Sequence, residues 1–133
     1  SLINMANSMR SEQGTGVLVQ RILKRLPTGV NAVIESLRNP DEVKALQERE
    51  GFVLIAVDAP VEVRLRRILR RGRAGDPLTA EQLRLLDERE ALDMSKSGIR
   101  IKECMGMADA LIINDDSLEV LGSRVHDVVQ RVK

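Results

Sequence analysis

Apolar residues recur along this chain at two spacings, and the alternation between them marks out the expected elements. Val17, Val19, Ile22, Leu23 and Leu26 fall at helical spacing with charges between them. The stretch from about Leu2 to Leu26 is therefore expected to form two helices, interrupted at Gly14, Thr15 and Gly16 and stopped by Pro27, Thr28 and Gly29. Val30 to Ile34 is a short β-branched run ending in polar residues, the pattern of a buried parallel strand. Asn39, Pro40, Asp41 and Glu42 combine an N-cap, a first-turn proline and a capping-box glutamate, which opens a helix through about Arg49. Phe52 to Val57 is a second apolar strand, closed by Asp58, Ala59 and Pro60, and Val61 to Arg71 follows as an amphipathic, arginine-loaded helix. Gly72 to Asp76 is a turn, and Thr79 to Gln82 is another capping box heading a charged helix with Asp87, Glu88, Arg89 and Glu90. After a polar break from Ser95 to Ile99, Ile101 to Met107 reads as helix and Ala110 to Ile113 as the third strand. Ser117 then caps a last helix with Leu118, Leu121, Val125, Val128 and Val132 on one stripe.

Short apolar strands alternating with helices predict an α/β fold, a three-layer parallel sheet with helices on both faces. In such sheets ligands bind beyond the carboxyl ends of the strands, which directs attention to Glu35 to Asn39, Asp58 to Pro60 and Asn114 to Ser117. A length of 133 residues, 43% of them hydrophobic, predicts a single domain spanning 1–133.

Composition narrows the function. The 21 lysines and arginines balance 20 aspartates and glutamates, so bulk charge gives no reason to expect nucleic acid or an anionic membrane as a partner. One phenylalanine, no tyrosine and no tryptophan remove the stacking platforms of single-strand binders. Cys104 and His126 are each the only residue of their type, which excludes an internal disulfide, multi-cysteine zinc sites and histidine-based triads, and fits a reducing cytoplasm. No apolar stretch is long enough for a membrane span, so a cytoplasmic protein is expected.

The densest chemical signal is the run Arg64, Arg66, Arg67, Arg70, Arg71 and Arg73, leading into a glycine-bearing turn. Guanidinium forks bind phosphate oxygens in bidentate fashion and stay charged, which suits a polyphosphate lid, with Asp76 near enough to orient one of them. The same run also reads as a solvated helix face paired with local carboxylates. Glu35, at the end of the first expected strand, can position a nucleophilic hydroxyl while Arg38 holds a substrate phosphate; the alternative is a strand-end polar pair with no ligand. Arg10 is a third candidate phosphate ligand or a surface residue. Asp58 is read as a turn residue, Cys104 as a small core residue and His126 as a surface residue. No glycine-rich loop followed by lysine and serine or threonine occurs in the sequence.

Three groups of residues carry a resemblance. Asn7 to Arg10 with Gly14 and Gly16, the run from Val33 to Val43 and Val57 to Pro60 are similar to the P-loop nucleoside-monophosphate-kinase fold. The similarity is to its dephospho-CoA-kinase-like and adenylate-kinase-related branch, which includes the kinase-like domain of some deoxycytidylate deaminases. Arg70 to Arg73 with Asp76, Asp87 to Glu90 and Ala108 to Asp115 extend it over nearly the whole chain. The resemblance implies ATP-dependent phosphoryl transfer to a nucleotide or cofactor precursor, with ATP and Mg²⁺ as cofactors and a phosphorylated small molecule or nucleotide as partner. Arg10 and Arg38 would hold the acceptor phosphate, and Glu35 would stand at the acidic strand-end position. Arg67 and Arg71 would clamp the transferring phosphoryl as lid arginines, Arg73 would assist in the turn, and Asn114 and Asp115 would lie near the adenine.

The family's first strand and P-loop would precede Asn7, where this sequence has six residues, so the chain is expected to be an N-terminally incomplete version of the domain with a lid over about 71–101. On that expectation it supplies acceptor site and lid, binds ATP weakly by itself, and either forms a homodimer through the sheet or pairs its first two strands directly. A non-catalytic nucleotide-binding module associated with a deoxycytidylate deaminase is the alternative function.

Overall fold

The structure, a computed structural model, describes residues 5, 8, 9, 12–14, 16–92 and 100–132. Its regular elements are helix α1 (Val17–Arg25), helix α2 (Pro40–Gln47), strand β1 (Ile55–Asp58), helix α3 (Val61–Arg71), helix α4 (Ala80–Leu92), helix α5 (Ile101–Gly106), strand β2 (Ala110–Ile113) and helix α6 (Leu118–Val132). The class is α/β with a small parallel sheet. The chain divides into two compact units, Ser1–Leu54 with Glu90–Met107, and Ile55–Arg89 with Ala108–Lys133.

In the first unit α2 is the central element, touching both α1 and α5. Its start follows the sequence signal: Asn39 Oδ1 accepts from the Asp41 N–H at 2.9 Å, and Glu42 Oε2 accepts from the Asn39 N–H at 3.2 Å and the Arg38 N–H at 3.0 Å. Pro40 occupies the first helical position, where a missing N–H costs nothing. Val43 and Leu46 are fully buried with Val17, Val19 and Cys104 around them. Gly16 stands where a Cβ would lie 3.2 Å from the Asp41 carbonyl oxygen, so α1 and α2 meet through backbone that has no room for a side chain.

The second unit holds the sheet. β1 and β2 run parallel with Ile55 opposite Ala110 and Asp58 opposite Ile113. Opposed residues share a sheet face, so Ala56 pairs with Leu111 on one side and Val57 with Ile112 on the other. Ala56 and Ile112 are buried, whereas Leu111 and Val57 are 57% and 55% exposed. Each face is thus covered over one strand only, and α6 lies against β2. The Gly72 backbone, at φ 59°, terminates α3 in the left-handed cap that glycine favours, its N–H donating to the Ile68 carbonyl. Thr79 Oγ1 accepts from the Gln82 N–H to start α4, and Ser117 Oγ accepts from the Val120 N–H to start α6.

Two expectations need correction. Residues 30–34 form no strand; they lie in irregular backbone, and Val33 is 97% exposed. A β-branched run becomes a parallel strand only beside a neighbour that takes its backbone hydrogen bonds, and the observed sheet consists of β1 and β2 alone among the described residues. The strand expected over 52–57 begins three residues later, at Ile55, where β2 first supplies a partner. The polar break of 95–99 lies outside the described residues. No helix of the described residues is long and apolar enough to cross a membrane.

Candidate functional site

The carboxyl ends of β1 and β2 are joined by the backbone itself, since the Asn114 N–H donates to the Asp58 carbonyl at 2.7 Å. Asp58 Oδ1 accepts from the Ala59 N–H at 2.7 Å, which is the turn role read from the sequence. Helix α3 starts behind this turn, and its register brings successive arginines to the strand ends. Arg67 reaches the loop after β2, its Nη1 donating to the Asn114 carbonyl at 2.9 Å and its Nη2 to the Asp116 carbonyl at 3.2 Å. On the other side of that loop, Arg124 from α6 donates to Asp115 Oδ1 at 2.6 Å and to the Ile113 carbonyl. The Arg124 guanidinium holds the Asp115 carboxyl below the usual carboxylate range, with Arg67 adding to the effect. Residues 113–116 are therefore gripped by two guanidinium groups that present positive charge beside backbone carbonyls.

A second cluster sits at the turn after α3. Arg71 donates from Nε and Nη2 to the two oxygens of Asp76, each at 2.8 Å, and the Asp76 N–H donates to the Arg73 carbonyl. The Arg71 fork lowers the pKa of Asp76, while the carboxylate in turn raises that of Arg71. The Arg73 side chain is exposed, and Asp76 feels its charge. The third arginine, Arg64, is built into the frame: its fork takes both oxygens of Asp87 at 2.8 and 2.6 Å and its Nε donates to the Ala59 carbonyl. This ties α3, α4 and the turn after β1 together, and the Asp87 hydrogen bond raises the Arg64 pKa.

The expected site residues distribute as follows. Arg67, Asn114 and Asp115 come together at the strand ends, and Arg71 and Arg73 share the neighbouring turn with Asp76. Glu35 and Arg38 are exposed in the first unit; with no strand over 30–34, Glu35 does not end one. The backbone at Arg38 is firmly held, because its N–H donates to Glu42 and its carbonyl accepts from the Arg100 N–H at 2.7 Å. Arg10 lies outside the described residues. Cys104 is buried, and desolvation, with Glu42 and Glu103 nearby, pushes its thiol pKa up, as suits a core residue.

Sequence reasoning missed two partners. Asp87 appeared only as one charge in a charged helix, and its pairing with Arg64 depends on how two helices meet. Arg124 was legible in principle: it stands about two turns into α6, one turn before the buried Val128, from where a long side chain reaches back to the loop that the helix follows. Among the described residues no buried side-chain nitrogen or oxygen lacks a partner, so the site is marked by its exposed guanidinium groups. Nor do three histidine, cysteine, aspartate or glutamate side chains gather among them to hold a metal ion, so magnesium is assigned no ligands and no step here.

No family model matches the chain. It is similar to the UPF0200 protein of Pyrobaculum aerophilum, 34% identical over 130 residues that take in 96% of this chain and 71% of that protein. The UPF0200 protein of Pyrococcus horikoshii is 31% identical over 134 residues, 93% of this chain and 67% of its own. That of Hyperthermus butylicus is 28% identical over 134 residues, 99% of this chain and 69% of its own.

Proposed function

This chain belongs to the UPF0200 family; on its resemblance to the nucleoside-monophosphate-kinase fold and on the geometry at the strand ends, we propose that it supplies the acceptor-site and lid portion of a kinase-like phosphotransferase. The substrate class is a nucleotide or a cofactor precursor of the dephospho-CoA type, phosphorylated from ATP. The observation that carries this reading is Arg67, which spans from α3 to the Asn114 and Asp116 carbonyls beyond the carboxyl ends of two parallel strands. That is where open α/β sheets bind ligands, and the loop there is fixed before any ligand arrives.

In this reading the loop 114–117 cradles the base, while Arg67 places charge at the edge of the phosphate path. Arg71 and Arg73 approach from the turn as the lid. Asp76 now occupies the Arg71 fork, and a phosphate oxygen pair takes the same bidentate geometry when the lid closes. Catalysis is then positioning and charge neutralisation; the acceptor-phosphate roles of Arg10 and Arg38 and the hydroxyl-orienting role of Glu35 are carried by the resemblance alone. The three-layer sheet expected from the alternation of strands and helices belongs to this proposal as well, and the uncovered Val57 and Leu111 support it.

One observation favours a non-catalytic nucleotide-binding module instead: Arg67 and Arg71 are both already held by protein groups. The test is transfer from radiolabelled ATP by the protein in its complete reading frame, against nucleoside monophosphates and dephospho-CoA. Transfer that falls about a hundredfold in Arg67→Ala supports the kinase reading. Saturable nucleotide binding without transfer supports the binding module, and neither binding nor transfer overturns both.

A further inference from the structure

Helix α4 carries apolar side chains on two opposed faces. Leu83, Arg84 and Asp87 form the face toward α3: Leu83 is buried, Asp87 takes the Arg64 fork, and Arg84 pairs with Glu62 at 3.3 Å. Leu85 lies away from it, 53% exposed, and Leu86, 41% exposed, stands between the two faces, with Gln82 and Arg89 beside them. Along this outer face runs a shallow cleft of about 340 Å³, walled at one end by Pro77. A helix whose second apolar face is covered only at one end, by a short turn, is an incomplete packing unit.

The charges on that side have an order that the apolar residues do not reveal. Glu81 stands four residues before Leu85 and Arg89 four residues after it. Neither makes an ion pair with a described residue, while the charges on the inner face, Arg84 and Asp87, are both taken up by α3. Acid, apolar centre and base at equal spacing form a pattern complementary to itself when the helix is reversed.

We propose that α4 is a self-association surface, pairing antiparallel with α4 of a second copy about a two-fold axis at Leu85. That axis sets Glu81 of each copy against Arg89 of the other, so one pair of residues makes two identical ion pairs. It stacks Leu85 on its own counterpart and brings Leu86 of each copy over the cleft of the other. A parallel pairing would leave the same helices with like charges opposed. The protein's net charge of +1 sets little general repulsion against two copies meeting. This surface lies on the helix, apart from the sheet edge; Asp76, which the phosphotransfer reading places in the Arg71 fork, also lines its cleft, and neither Glu81 nor Arg89 takes part in that reading.

Sedimentation equilibrium with charge reversal tests it. Wild-type protein is expected to show a monomer–dimer equilibrium. Arg89→Glu and Glu81→Arg, both exposed and therefore expected to keep the native circular dichroism, should each weaken the dimer about tenfold. The double reversal, Glu81→Arg with Arg89→Glu, should restore it. A Leu85→Cys variant should cross-link to itself on mild oxidation while Glu48→Cys, in the other unit, does not; Cys104 is buried and will not compete. A protein that stays monomeric, a dimer indifferent to both single reversals, or a double reversal as weak as the singles would overturn the proposal.

Discussion

Replacing Glu42 by alanine should be among the most destabilising single changes in the first unit, although the residue is a charged one on a short helix. Its side chain is 4% exposed and its Oε2 accepts from two backbone donors, Arg38 and Asn39. Alanine removes both bonds and leaves two N–H groups near the buried start of α2 without that acceptor. A hydrogen bond to a charged group contributes about 1.5–3 kcal/mol, and an unsatisfied buried donor costs about 1–3 kcal/mol. Allowing for partial entry of water, Glu42→Ala should cost about 2–4 kcal/mol, a large part of the ~5–15 kcal/mol that stabilises an ordinary domain. At about 4 °C per kcal/mol for a chain of this size, the melting temperature should fall by roughly 8–16 °C. Glu42→Gln keeps an acceptor oxygen and loses the charge, so about half the cost is expected. Urea unfolding followed by far-ultraviolet circular dichroism measures both. A loss below about 0.5 kcal/mol for the alanine variant would refute the argument that this carboxylate fixes the start of α2 and the backbone at Arg38.

Other outcomes follow from the same geometry. Asp76 has its pKa lowered by Arg71, so its contribution to stability is complete above its ordinary value of 3.8 and is lost as pH falls through the lower folded value; an acid titration should show Asp76→Asn losing less stability than wild type over that range. Cys104, buried and with its thiol pKa raised, should react with iodoacetamide at pH 8 at least about tenfold more slowly than in urea-unfolded protein, and equal rates would contradict its place in the core. A lid over 71–101 requires the amides of α4 to exchange with solvent about tenfold faster than those of β1, and equal protection would show that the Arg64–Asp87 and Arg84–Glu62 pairs lock the helix down.

Local chemistry was the legible part of the fold. The Asn39–Glu42 capping box, the end of α3 at Arg71, the cap at Ser117 and strand Ala110–Ile113 are all written in neighbouring residues, and the structure has each where it was expected. The segment 30–34 has the composition of a strand, but strand formation depends on a pairing partner from elsewhere in the chain, which composition does not encode. The candidate site divides in the same way. The sequence marked the arginines of α3 as a dense cluster and the resemblance implied a lid role for Arg67 and Arg71, whereas the partners they meet, Asp87 for Arg64 and two loop carbonyls for Arg67, are set by tertiary packing.

The central claim is that the loop after β2, held by Arg67, is where a nucleotide binds. Titrating ATP into isotopically labelled protein and following the backbone amides by NMR tests it most directly. The account predicts saturable shifts at Asn114, Asp115 and Ser117 and at the Arg67 side chain, weakened at least about tenfold in Arg67→Ala. Shifts confined to other surfaces, or an Arg67→Ala variant that binds as wild type does, would contradict it.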